Sequence, residues 1–158
     1  MGPSSDLAGS NDCESTSSNS VGDEGGCTWD ELVLRNSMTA LVVDGETESR
    51  LAVTEMLESA GVETEMVGSG QEGLNLTGKN YDLILVDRFV HDMSGLETIR
   101  RMRRRGVQTK IIGLTSRDIE TDKAEIMNAG ADGCLKKPVS ADAMADILAE
   151  IDYEIDHR

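Results

Sequence analysis

Aromatic side chains are nearly missing from this chain: one Trp, two Tyr and one Phe make up 3% of its 158 residues. A core with so few rings must be packed from Val, Ile and Leu, which suits a buried sheet better than an aromatic-rich binding fold. Cysteine occurs three times, at Cys13, Cys27 and Cys134, with no C-x-x-C spacing. Neither a disulfide framework nor a tetrahedral zinc site is expected, and a reduced, intracellular chain fits. Positive charge is scarce too: 15 Lys and Arg against 30 Asp and Glu leave a net charge of −15, which disfavours nonspecific attraction to nucleic acid or anionic lipid. No apolar run reaches the length of about 18 residues that a membrane span needs, and no basic patch followed by an apolar run opens the sequence. Neither membrane insertion nor secretion is expected.

Residues 1–37 are rich in Ser, Gly and Asn and carry Asp6, Asp12, Glu14, Asp23, Glu24, Asp30 and Glu31 against Arg35 alone. Such a segment buries too little apolar surface to offset the entropy of ordering, so it reads as a disordered acidic tail, with one folded domain over residues 38–158. Trp29, near Leu32 and Leu34, marks either a short docking element or a loosely packed lead-in to the domain.

From Thr39 onward, short apolar runs alternate with helical stretches. Strands are expected at 39–43, 63–67, 83–86, 110–114 and 133–136, the second with the mixed pattern of an edge strand. Ser69 to Glu72 and Ser94 to Glu97 are S-x-x-E capping boxes, and Gly61, Gly78, Gly106 and Gly130 stand where helices should stop. Met144, Ile147, Leu148, Ile151 and Ile155 form one apolar stripe of a last helix. In the first helix Ala52, Val53, Met56, Leu57 and Ala60 share a face that Leu51 leaves, so Leu51 is expected to be exposed, either as a contact for a partner helix or as an ordinary surface leucine. Five βα units imply an α/β fold: a doubly wound parallel sheet with helices on both faces, whose functional crevice lies at the carboxyl ends of the strands.

Asp44, Asp87, Thr115 and Lys137 all fall at those ends. Each alone is as well explained as a helix cap, a loop acid or a solvated lysine. Jointly an acid, an acid, a hydroxyl and an ammonium make a phosphoryl-transfer site: Asp87 as the nucleophile, Asp44 supporting a divalent cation, Thr115 donating to a phosphoryl oxygen and Lys137 neutralising the phosphate. Mg²⁺ suits that role because it takes one or two carboxylates and keeps water and phosphate oxygens for the rest of its shell.

The residues Leu41-Val42-Val43-Asp44, Tyr81 to Asp87 with Met93 and Gly95 after them, Gly113-Leu114-Thr115-Ser116 and Lys136-Lys137-Pro138 resemble the receiver domain of two-component response regulators. That likeness implies a flavodoxin-like five-stranded sheet of order 2-1-3-4-5 and transfer of a phosphoryl group to Asp87 from a histidine phosphotransfer protein or histidine kinase. It also implies Mg²⁺ held by Asp44, Asp87 and the Phe89 carbonyl. The chain is most similar to small plant type-C single-domain regulators. This implies a place in cytokinin-type signalling, a cytoplasmic or nuclear location, no DNA-binding output domain, and draining of phosphoryl groups from the donor in the manner of a phosphohistidine phosphatase.

The pattern breaks in places. The family usually has two adjacent acids after the first strand, whereas Gly45 follows Asp44 here, with Glu46 one residue further on as a candidate substitute. Weak Mg²⁺ binding is expected, and the rival reading is a pseudo-receiver, the same fold used as a binding module with Asp87 rarely or never phosphorylated. His91 stands where the family has proline, and Cys134 where it has an aromatic ring. The Phe89 ring either shields a phospho-aspartate from water or simply covers the site. The arginines from Arg100 to Arg105 read as a solvated face or, alternatively, as a patch for an acidic partner. A dehalogenase-type phosphatase would want D-x-D after the first strand, and Asp44-Gly45-Glu46 does not supply it.

Overall fold

The computed structural model describes residues 26–158. They form two compact units, Met38–Pro138 and a smaller one made of residues 26–37 with Val139–Arg158. The larger unit holds β1 (Thr39–Val43), α1 (Thr47–Ser59), β2 (Glu63–Val67), α2 (Gly70–Leu76), β3 (Leu83–Asp87), α3 (Gly95–Arg104), β4 (Lys110–Thr115), α4 (Ile119–Ala129) and β5 (Gly133–Lys136). The five strands are parallel and ordered β2-β1-β3-β4-β5, the order the sequence motifs imply.

The strands form where Val, Ile and Leu run together, because a parallel sheet covered on both sides buries both faces of its central strands. All of β3 is buried, whereas β2 at the edge is largely exposed. Alternation sends Leu41, Val43, Ile84 and Val86 to one face, where they meet Leu74 of α2, Ile99 and Met102 of α3 and Ile126 of α4. Truncating one of these fully buried side chains to alanine costs about 2–5 kcal/mol.

The helix boundaries follow local chemistry. The Ser69 and Ser94 hydroxyls accept hydrogen bonds from the backbone N–H groups of Glu72 and Glu97, 3.1 Å each. The capping boxes close on that side only: Glu72 accepts from Gly68 N, and Glu97 turns to Arg100 and Arg101. Gly61, Gly106 and Gly130 follow their helices at φ +92°, +90° and +122°, backbone that other residues rarely adopt, and Gly78 follows the end of α2 at Leu76 without a positive φ.

In the smaller unit, α5 (Ala141–Asp156) buries Met144, Leu148 and Ile151. Of the stretch 1–37 expected to be disordered, residues 1–25 lie outside the described residues. Residues 26–37 instead run along α5: Asp142 accepts from Trp29 N, and Asp152 from the backbone N–H groups of Arg35 and Asn36, at 2.8–3.0 Å. Cys27 is disulfide-bonded, against the reading of reduced thiols. Among the described residues no helix is long and apolar enough to cross a membrane.

Candidate functional site

Backbone hydrogen bonds carry the ladder one residue past three strands and set the site residues at one edge of the sheet. Asp44 N donates to Val67 O, Arg88 N to Leu114 O and Lys137 N to Thr115 O, at 3.1, 2.8 and 2.7 Å. Lys137 Nζ then lies 2.9 Å from Asp87 Oδ2 and 3.2 Å from Asp44 Oδ2, and it reaches Glu46 at 3.4 Å. Asp44 is wholly buried and Asp87 4% exposed, while the Glu46 side chain is 66% exposed. Two carboxylates in so dry a place need a cation, and Lys137 is that cation.

The two acids are unequal. Burial raises Asp44, but the Ser49 hydroxyl at 2.6 Å and the Glu46 N–H at 2.9 Å outweigh it and hold the carboxyl below the usual range. Burial also raises Asp87, and the neighbouring Asp44 carboxylate adds to it against the pull of Lys137, leaving Asp87 at about 6. Native Asp87 therefore binds its proton more tightly than the unfolded chain does. The stability tied to that proton is complete below about pH 4 and lost as pH rises through about 6. Asp87→Asn is thus expected to stabilise the metal-free protein by about 3 kcal/mol at pH 7.5 and by much less near pH 4. Urea unfolding of both proteins in EDTA measures the difference, and an equal gain at both pH values contradicts the charge origin.

The loop from Arg88 to Ser94 folds back over the end of β3. Gly95 makes this possible, since a Cβ there would collide with the backbone of Asp87 and Arg88. Asp92 pins the loop by accepting from Gly70 N and Gln71 N, at 2.8 and 2.9 Å. His91 Nε2 donates to Gly45 O at 3.0 Å, and its ring fills the space beside Gly45: a Cβ on residue 45 would stand 2.9 Å from His91 Cδ2. Phe89 N donates weakly to Asp87 Oδ1 at 3.3 Å. The Phe89 ring, 50% exposed, has the Arg88 and Arg117 guanidinium carbons 5.3 and 5.5 Å from its centre.

Asp44, Glu46, Asp87 and Lys137 thus come together, but the Thr115 hydroxyl points to a partner the sequence reading missed. It donates to Asp122 Oδ2 at 2.7 Å, both residues being wholly buried. Ser49, Arg88, Arg117 and Asp122 were all missed. Asp122 looks like one more acid in the first turn of α4, where acids are common, and nothing in the local pattern says that it is buried.

Residues 40–149 match the response regulator receiver domain model. The chain belongs to the response regulator receiver family. This receiver is 32% identical over 122 residues to two-component response regulator 24 of Arabidopsis thaliana, which covers 76% of the chain and 88% of that protein. It is 31% identical over 115 residues to the sensor histidine kinase RcsC of Salmonella typhi, of whose length the match spans only 12%. The receiver domain of a Francisella response regulator superposes with a TM-score of 0.68 at 27% identity, covering 76% of this receiver and 99% of that chain.

Whether the site fits a divalent cation is decided by its donors. Asp44 and Asp87 converge as hard oxygen ligands, and Mg²⁺ can be held through one or two carboxylates. Among the described residues, however, no three His, Cys, Asp or Glu side chains gather as a metal cage. The residues fit a Mg²⁺ that keeps most of its water.

Proposed function

We propose that this receiver accepts a phosphoryl group on Asp87 from the phosphohistidine of a histidine phosphotransfer protein or histidine kinase, as one step of a His-to-Asp phosphorelay. The observation that carries the reading is the Lys137 ammonium within hydrogen-bonding distance of both Asp87 and Asp44 at the carboxyl edge of the sheet.

Asp87 attacks the phosphorus as a carboxylate, so it must first be ionised. As its oxygen bonds to phosphorus, the P–N bond to the donor imidazole breaks and the imidazole leaves with the bond's electron pair. Lys137 supports the step by pairing with a phosphoryl oxygen, and Thr115 does so by donating its hydroxyl to another. Mg²⁺ held by Asp44, Asp87 and the Phe89 carbonyl, with Glu46 nearby, would supply further neutralisation of the phosphoryl oxygens. Leu51 on α1 is 41% exposed, which supports its reading as a contact for a donor helix. The likeness to an Arabidopsis response regulator supports a plant-type relay, within which the cytokinin branch is the narrower reading.

One observation favours a second reading, a pseudo-receiver that serves as a binding module: Gly45 leaves the pocket one carboxylate short. A transfer assay with a labelled phosphohistidine donor separates the two. Label on the wild-type chain in Mg²⁺ and none on Asp87→Asn is expected. A wild-type chain that binds the donor but takes no label supports the binding module.

A further inference from the structure

A hydroxyl has one proton to donate. Thr115 spends it on Asp122 Oδ2, and the Arg117 backbone N–H, at 3.0 Å, fills an acceptor position on the same hydroxyl oxygen. In this arrangement Thr115 has nothing to give a phosphoryl oxygen. To serve one, it must leave a carboxylate that is wholly shielded from water, and a buried carboxylate stripped of a donor is costly unless another takes its place.

A replacement donor stands ready. Arg88, the residue after Asp87, has a side chain only 13% exposed, and its Nη2 is anchored on Glu125 at 2.7 Å. Its Nε lies 3.7 Å from the same Asp122 Oδ2, within ion-pair range but beyond a hydrogen bond. Nε and Nη1 are both buried and lack any hydrogen-bond partner among the described residues. Unsatisfied guanidinium nitrogens in such a place are rare. A shift of under about 1 Å would bring Nε to hydrogen-bond distance, while Arg117 Nη2 keeps Asp122 Oδ1 at 3.0 Å.

We propose that Asp122 is a positioning residue which withholds the Thr115 hydroxyl from the phosphoacceptor, and that Arg88 takes over Asp122 when Thr115 turns to the phosphoryl group. The inference rests on the reading of Asp87 as the phosphoacceptor. In the exchange Thr115 trades a carboxylate oxygen for a phosphoryl oxygen, and Asp122 trades a hydroxyl for a guanidinium N–H. Both partners of the broken Thr115–Asp122 bond thus regain one. Because the half-exposed Phe89 ring lies against Arg88 and Arg117, the movement of Arg88 also reaches the surface at the mouth of the site.

The test is the rate of Asp87 phosphorylation by phosphoramidate in Mg²⁺, followed by intact mass and peptide mapping, beside the melting temperature of each protein. Asp122→Asn weakens the hold on Thr115 and is expected to speed phosphorylation about fivefold while lowering the melting temperature. Arg88→Met removes the replacement donor and is expected to slow it by about as much. In a Thr115→Val background both differences should vanish. A residue that merely held the fold together would not give opposite signs for rate and stability. Equal rates for wild type and Asp122→Asn, or effects that persist in Thr115→Val, overturn the proposal. If Asp122→Asn does not fold, Arg88→Met measured with and without Thr115→Val reads the same coupling. If the wild-type chain takes no phosphoryl group on Asp87, the phosphoacceptor reading falls and this inference falls with it.

Discussion

Lys137→Met is expected to destabilise the metal-free protein by about 3 kcal/mol at pH 8 and to slow phosphorylation of Asp87 by at least about a hundredfold. Methionine keeps most of the side-chain length but removes the ammonium that touches both Asp44 and Asp87. Breaking a buried ion pair from one side typically costs about 3–5 kcal/mol, because the remaining charge is left without compensation. The low end applies here, since Asp87 already holds its proton up to about pH 6 and relieves part of the repulsion by keeping it to higher pH once the lysine is gone. The loss of stability should therefore shrink between pH 8 and pH 5, and Mg²⁺ should restore part of it by replacing the missing cation. Urea unfolding at the two pH values, with EDTA and then with Mg²⁺, checks all of this. A loss below about 1 kcal/mol at pH 8 would mean that the lysine does not hold the two acids together.

Restoring the absent acid is expected to tighten Mg²⁺ binding by about tenfold to a hundredfold, but only when His91 is removed as well. A direct anionic ligand is worth roughly 1.5–3 kcal/mol. In Gly45→Asp alone the new Cβ would stand 2.9 Å from His91 Cδ2 and 3.1 Å from its Nε2, so the His91 ring has to be accommodated. Either the ring swings away and gives up its hydrogen bond to Gly45 O, or the turn after β1 shifts and misplaces the new carboxylate. Gly45→Asp/His91→Ala relieves the clash. Calorimetric Mg²⁺ titration of the wild type, both single variants and the double variant should show the full gain in the double variant alone. Equal affinities for all four proteins would contradict the expectation that Gly45 weakens Mg²⁺ binding.

The sheet was legible because it rests on runs of aliphatic residues whose burial on both faces is written into their composition. Leu51 was legible for the same reason: helical periodicity leaves it off the apolar face, and it is exposed. Periodicity failed nearby at Ala52, which is exposed, and at Thr54, which is buried, since the seat of a small or polar side chain is decided by what packs against it. Glu97 shows the same limit. Its spacing from Ser94 predicts a closed capping box, yet Arg100 and Arg101 one turn further on compete for its carboxylate.

In the site, Asp44, Asp87 and Lys137 could be placed from strand ends alone, because parallel topology brings those ends to one edge. The direction of the Thr115 hydroxyl could not, since it depends on Asp122, seven residues on and indistinguishable in sequence from a solvated acid in the first turn of a helix. Arg103 misled in the opposite way. Within a run read as solvated, it bonds the Gly130, Val107 and Thr109 carbonyls and the Asp132 carboxylate at 2.8–2.9 Å, tying the end of α3 to the entries of β4 and β5.

The most direct measurement of the central claim is the intact mass of the wild-type chain and of Asp87→Asn after incubation with a small phosphodonor and Mg²⁺, with the adduct then mapped by fragmentation. The account predicts one added phosphoryl group, on Asp87, that EDTA suppresses and the substitution abolishes. An unmodified wild-type chain, or an adduct that survives Asp87→Asn, would contradict it.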